Sequence, residues 1–188
     1  MPEFNRETAP YRERAEIFAL HPQTKQIYGG QWHNDSKFAI PGGGIDDGED
    51  VLQGALREFY EETGLRARNP RLASDAPPIV NEWSDSFRRQ APADRQHFRG
   101  TRTHSVYADL DTDQGDPPTV NDWSASNRRF YSLPEALDMM KTPGPPMAPA
   151  VYANRLRILE SLARQLATPP QKKLASWLPS ALARWLGL

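Results

Sequence analysis

The sequence of 188 residues predicts an α/β domain followed by a C-terminal helical extension. Three observations carry that expectation. A strand candidate at 37–40 runs through Pro41-Gly42-Gly43-Gly44 into an amphipathic stretch that stops at Gly64. Further strands are expected at 101–110 and 129–133, and the second feeds a helix with Pro134 in its first turn. Segment 142–149 is dense in proline, and beyond it 150–166 repeats its apolar residues at helical spacing. The expected division is therefore 1–147 and 148–188.

Taken in order, residues 1–12 are polar and expected to be loose. Residues 14–20 alternate enough for a strand, and His21-Pro22-Gln23-Thr24 is a turn. A short second strand is expected at 26–28, closed by Gly29-Gly30, with a loop at 32–36. In the amphipathic stretch Asp50 is the N-cap, and Gln53 completes a capping box. Val51, Leu52, Ala55, Leu56 and Phe59 form the buried stripe, and Gly64 supplies a left-handed stop. After Leu65, a strand interrupted at Asn69-Pro70 is expected within 66–73, and another at 79–83. Residues 84–95 are polar and basic and read as an exposed loop. Residues 111–118 read as an acidic loop.

Two features stand outside this sequence of elements. Pro77-Pro78-Ile79-Val80-Asn81-Glu82-Trp83-Ser84-Asp85-Ser86-Phe87-Arg88-Arg89 is echoed by Pro117-Pro118-Thr119-Val120-Asn121-Asp122-Trp123-Ser124-Ala125-Ser126-Asn127-Arg128-Arg129, each copy ending in an arginine pair. Two copies are too few for a solenoid. Trp83 and Trp123 could stack on bases, with Arg88 and its neighbours on phosphate. The competing reading, that the tryptophans simply pack, is favoured because Trp is usually core. The second feature is the tail at 174–188, apolar on one side and thinly basic. Docking on the domain or on a second copy of the chain is expected of it rather than membrane-surface binding.

Composition narrows the function. A net charge of −1 gives no global footprint for nucleic acid or membrane. There is no cysteine, which excludes disulfides, thiolate metal sites and cysteine nucleophiles. Residues 1–10 lack the apolar core of a signal peptide, and no apolar run is long enough to span a membrane. A cytoplasmic protein is expected.

The amphipathic stretch carries the chemistry. At about 100° per residue, Glu58, Glu61 and Glu62 fall within one sector at the margin of the apolar stripe. Carboxylates there are costly to desolvate and repel one another. A divalent cation resolves both problems, and carboxylate oxygens suit Mg²⁺ or Mn²⁺. Alone, Glu-x-x-Glu-Glu would read as a solvated acidic face. The surrounding residues overturn that reading. The order Gly43-x5-Glu49-x7-Arg57-Glu58-Phe59-x-Glu61-Glu62-x-Gly64-Leu65 resembles the Nudix box, with apolar residues in its variable hydrophobic slots. At background frequencies of several per cent, seven fixed positions match by chance roughly once in a billion starts.

The resemblance implies an α/β/α sandwich with a mixed sheet, and hydrolysis of a nucleoside diphosphate linked to another group. It implies that Glu58, Glu61 and Glu62 are metal ligands. The Gly43 carbonyl is a further ligand candidate, and Glu49 is one acting through water. Arg57 resembles the arginine that orients a box glutamate. Glu61 is the first choice of general base, Asp122 the downstream candidate, with Glu82 behind it. The backbone of Gly42, Gly43 and Gly44 could approach the phosphates, and Trp32 and Phe38 could stack on a base or pack in the core. The isopentenyl-diphosphate isomerases, which resemble this family, use a cysteine that this chain lacks.

The substrate is not specified. Markers for ADP-ribose, diadenosine polyphosphates and NADH, which lie downstream of the box in the family, are displaced or absent. A nucleotide is the expected partner, with an RNA 5′ end as an alternative, and nucleic acid is not indicated by net charge. A non-catalytic binding module is the reading from another class, and such modules usually lose box carboxylates that this chain keeps. A homodimer through the C-terminal helices is a further expectation.

Overall fold

The computed structural model describes residues 4–31, 37–112, 125–141 and 149–167. Strand β1 (Tyr11–Leu20) lies parallel to β7 (Gly100–Leu110), in register from Tyr11 opposite Gly100 to Leu20 opposite Asp109. This pair is the spine of a mixed sheet of eight strands among the described residues, ordered β3-β2-β1-β7-β5 along its main path. The flanking strands are β2 (Ile27–Gln31), β3 (Phe38–Ala39) and β5 (Ala67–Leu72). Three more join antiparallel: β4 (Gly42–Gly44) on β1, β6 (Ile79–Glu82) on β7, and β8 (Ser126–Tyr131) on β2.

Alternation along β1 separates the two faces. Ala15, Ile17 and Ala19 point to one side, where they meet Ala55 and Phe59 of helix α1 (Val51–Thr63) together with Val106 and Ala108. Phe18 points to the other side. There it joins Phe38, Tyr107 and Tyr131 under α3 (Leu133–Lys141) and α4 (Pro149–Ala167), whose Met140, Ile158, Leu159 and Leu162 are buried. Glu16 shares that side and forms a two-pronged ion pair with Arg155 of α4, at 2.9 and 2.5 Å. The result is the α/β/α sandwich the resemblance implied. No helix among the described residues is long and apolar enough to cross a membrane.

Several elements differ from expectation. The expected second strand runs on through Gly29 and Gly30. The strand expected at 129–133 starts at Ser126 and ends at Tyr131, because the Ser132 hydroxyl accepts from the Glu135 amide and starts α3. Residues 84–95 are not a loop. The Ser84 hydroxyl accepts from the Phe87 amide and caps a short helix, α2 (Asp85–Gln90), followed by a 3₁₀ turn at Ala93–Arg95. The N-terminal segment is held rather than loose: Arg6 donates to the Trp83 carbonyl at 2.9 Å and to Asp85, and Tyr11 and Arg12 already belong to β1. The interruption at Asn69-Pro70 is a bulge in β5, with Asn69 at φ 54°. In α1, Asp50 accepts from the Leu52 amide as expected, and Gly64 is left-handed at φ 70°. Gln53 is exposed and makes no reciprocal cap bond. The second copy of the echoed segment through Ser124, with Trp123, the proline-rich boundary through Met147 and the tail at 174–188 lie outside the described residues, as does the loop at 32–36.

Candidate active site

Strand β4 is three glycines pressed between β1 and the side chains of α1. Each glycine meets a different residue of the box. The Gly42 amide donates to Glu62 Oε2 at 2.7 Å. A Cβ on Gly43 would overlap the Glu58 carboxylate, so the bare backbone is what lets Glu58 lie against the strand. The Gly44 carbonyl accepts from Arg57 Nη2 at 2.9 Å. The register sets Gly42, Gly43 and Gly44 opposite Glu16, Ala15 and Arg14 of β1.

Arg57 is the hub. Its Nε and Nη2 grip Glu49 at 3.0 and 2.8 Å, while Nη1 reaches Glu58 at 3.2 Å and Glu61 at 3.1 Å. The bond to Glu61, four residues on, is the one helical spacing predicts. The fork onto Glu49 is not predicted by spacing, since Glu49 precedes the helix and turns back along it. Bonding to Glu49 raises the Arg57 pKa and lowers that of Glu49, so both stay ionised. Glu62 behaves differently. Burial first, opposed by the Gly42 amide and reinforced by the Glu58 charge, pushes it up to about 7.

Among the described residues, no three acidic or imidazole side chains stand close enough to enclose a metal ion, because Glu49, Glu58 and Glu61 are turned onto Arg57. The donor chemistry still fits a hard divalent cation. Every side chain on offer is a carboxylate, and Glu62 is a partly buried one whose hydrogen bond comes from an amide rather than a cation. Glu61 is half exposed, while Glu58 is largely covered.

The remaining residues predicted from sequence fare unevenly. Phe38 is fully buried, edge-on to Tyr131 at 5.3 Å, so it has no face for a base and serves the core. Arg88 is likewise committed. Its guanidinium lies 3.7 Å from the Phe4 ring centroid and donates to the Gln96 carbonyl, fastening the N-terminal segment to α2. Glu82 binds the Tyr11 hydroxyl and lies near Arg6 and Arg99. Trp83 is half-buried against Phe87 and lines a cavity beside β1. Trp32 and Asp122 lie outside the described residues.

Two residues next to the site were not predicted. Arg14 donates to the Gly42 carbonyl at 3.2 Å, and a Cβ on Gly44 would strike the Arg12 guanidinium. Burial, then the charges of Arg95 and Arg14, lower the Arg12 pKa. Their signal in the sequence is the pair of arginines two apart on a strand, which puts both on one face.

The NUDIX domain family model matches residues 9–152, so this chain belongs to the Nudix family. Among curated relatives, it is 40% identical over 85 residues to an RNA pyrophosphohydrolase from Mesorhizobium japonicum, covering 41% of this chain and 48% of that one. A protein of the same description from Rhizobium meliloti is 50% identical over 42 residues, covering 22% and 24%. The matches thus span about half or less of those relatives' length. Among solved structures, the mutator MutT protein from Bacillus halodurans aligns with a TM-score of 0.51 at 16% identity, covering 80% of this chain and 82% of that one. The Escherichia coli dihydroneopterin triphosphate pyrophosphohydrolase aligns with 0.51 at 15% identity, covering 82% and 99%. At such identities the likeness concerns the fold.

Proposed function

We propose that this chain hydrolyses a diphosphate bond in a nucleoside diphosphate linked to another moiety, with Mg²⁺ or Mn²⁺ as cofactor. The observation that carries the reading is the glycine strand laid against Glu58 and Glu62, with Arg57 tying the strand to Glu58 and Glu61 of the helix. Family membership and the retention of every box carboxylate favour catalysis over a binding module.

Glu58, Glu61 and Glu62 would hold the cation, with the Gly43 carbonyl and Glu49 in support. Bound there, the cation neutralises diphosphate charge and makes water nucleophilic near neutral pH. The chain's own groups do the rest. Glu61, half exposed and held at 3.1 Å by Arg57, is placed to accept a proton from an attacking water. Arg57 keeps that carboxylate aimed. The side-chain-free strand β4 lets the Glu58 carboxylate and the Arg12 guanidinium lie against backbone, and Arg12 and Arg14 bring positive charge to its edge for phosphate. The likeness to RNA pyrophosphohydrolases favours a second, narrower reading, that the diphosphate is at an RNA 5′ end.

A panel of nucleoside triphosphates, nucleotide sugars and 5′-triphosphorylated RNA, assayed with Mg²⁺ or Mn²⁺ beside Glu61→Gln, tests the reading. Turnover of at least one substrate and a loss of about 10²–10⁴-fold in the variant are expected. No turnover, or full activity in Glu61→Gln, would defeat it.

A further inference from the structure

A cavity of about 480 Å³ opens beside β4, on the sheet face opposite α1. Its floor is a row across three strands, since the register sets Arg12 opposite Thr101 and Thr101 opposite Asn81. Its outer wall is aromatic. Trp83 and Phe87 stand edge to face, 5.4 Å between ring centroids, and Phe87 is 56% exposed although it is a large apolar side chain. Arg95, from the 3₁₀ turn, closes a third side. Its Nε is buried without a hydrogen-bond partner, and the Asp94 carboxylate lies 3.8 Å away.

Three features of this cavity point to a ligand. Arg12 is partly buried and no described residue hydrogen-bonds or ion-pairs with its guanidinium, on which the Glu58 and Asp94 charges act only from a distance, so its donors are open to an anion. Helix α2 buries none of its residues, so Phe87 contributes nothing to the core and presents its ring to the cavity. The volume lies within the range of small-molecule sites. Guanidinium groups take phosphate, and exposed aromatic rings take the flat face of a base. The arrangement also has a direction. Arg12 reaches Gly44 and Arg14 bonds Gly42, so the cavity leads onto the strand against which Glu58 and Glu62 lie.

We propose that this cavity is a nucleotide subsite, with a base against Trp83 and Phe87 and its phosphate held by Arg12 and Arg95. The direction of the bound nucleotide, with its diphosphate toward β4, rests on the hydrolase reading; the binding itself does not. Phe87 and Arg95 lie on the α2 side of the cavity and are no part of the box.

The test is equilibrium titration of the full chain, free of divalent cation, with adenosine 5′-monophosphate and with the 5′-phosphorylated dinucleotide pApA. Phe87→Ala and Arg95→Gln should each weaken binding on the order of tenfold, and Phe87→Trp should restore it. Both residues are substantially exposed, so melting temperatures should stay at the wild-type value. Loss with both probes assigns the cavity to the nucleotide nearest the diphosphate, and loss with pApA alone assigns it to the next one. Unchanged affinity for both probes overturns the subsite. The two readings fail separately. Weaker binding in the variants without any hydrolysis by the wild type would keep the subsite and remove the hydrolase. Hydrolysis with wild-type KM in both variants would do the reverse.

Discussion

Replacing Arg57 with alanine should destabilise the cation-free protein by about 2–3 kcal/mol, and added Mg²⁺ should recover part of that loss. The guanidinium makes four hydrogen bonds to three carboxylates and one to the Gly44 carbonyl. Removing one partner of a buried ion pair costs about 3–5 kcal/mol, since the other charge is left uncompensated. That figure is too large here, because Arg57 is 29% exposed and its partners 17–49%. Discounting for solvent gives about 2–3 kcal/mol, or roughly 5–10 °C in melting temperature for a chain of this size. Arg57→Lys keeps the charge but loses the fork onto Glu49, and should fall between. The assay is thermal unfolding followed by circular dichroism, in EDTA and again with Mg²⁺. A cation binding the released carboxylates stabilises the fold by mass action, so the deficit should shrink with Mg²⁺. A variant that melts within 1 °C of wild type in EDTA, or whose deficit is untouched by Mg²⁺, would refute the hub argument.

Three further outcomes are expected. Gly42→Ala puts a Cβ within 2.8 Å of the Glu16 Cα and closer still to the Ala15 carbonyl; because both are backbone, the strand pair must part, and urea unfolding should show a loss of about 3 kcal/mol. Arg155→Met alone should cost about 3–5 kcal/mol by leaving Glu16 buried and unpaired, whereas Glu16→Leu with Arg155→Met should recover most of it in a double-mutant cycle. Tyr107 is pushed up to about 12 by burial and the neighbouring Asp75. A phenol that ionises later in the fold than in the open chain contributes stability below pH 10.0 that is lost as pH rises toward 12. The stability difference between wild type and Tyr107→Phe should therefore change across that alkaline window, and a difference flat from pH 9 to 12 would contradict the assignment.

Legibility followed the range of the interactions. Asp50 and Gly64 as caps, and the burial of Ala55 and Phe59, depend on residues within a turn or two, and the structure has them where periodicity put them. The short helix α2 was within reach too. Ser84 with Asp85 is a helix-start signal, but five polar and charged residues around a single Phe87 form no apolar stripe and hide it. For Arg88 and Phe38 the sequence leaves the choice open for another reason. Arginine beside tryptophan, and phenylalanine before a glycine loop, look alike whether they face a ligand or a neighbour. Phe4, some eighty residues away in the chain, is what claims Arg88.

The sequence by itself determined the family and the candidate site, because the box is one continuous loop and helix whose spacing encodes which carboxylates share a side. Only the tertiary structure decided what surrounds that centre. The parallel pairing of β1 with β7 joins residues 89 apart, as in the Glu13–Arg102 ion pair, and no local period records such a match. That pairing sets Arg12 beside Thr101 and, through β6, beside Asn81; with α2 folded back over the row, it brings Trp83, Phe87 and Arg95 to one cavity at the edge of the glycine strand. The chemistry is written in neighbours along the chain, and the surface that would select its substrate is assembled from strands brought together by their shared core.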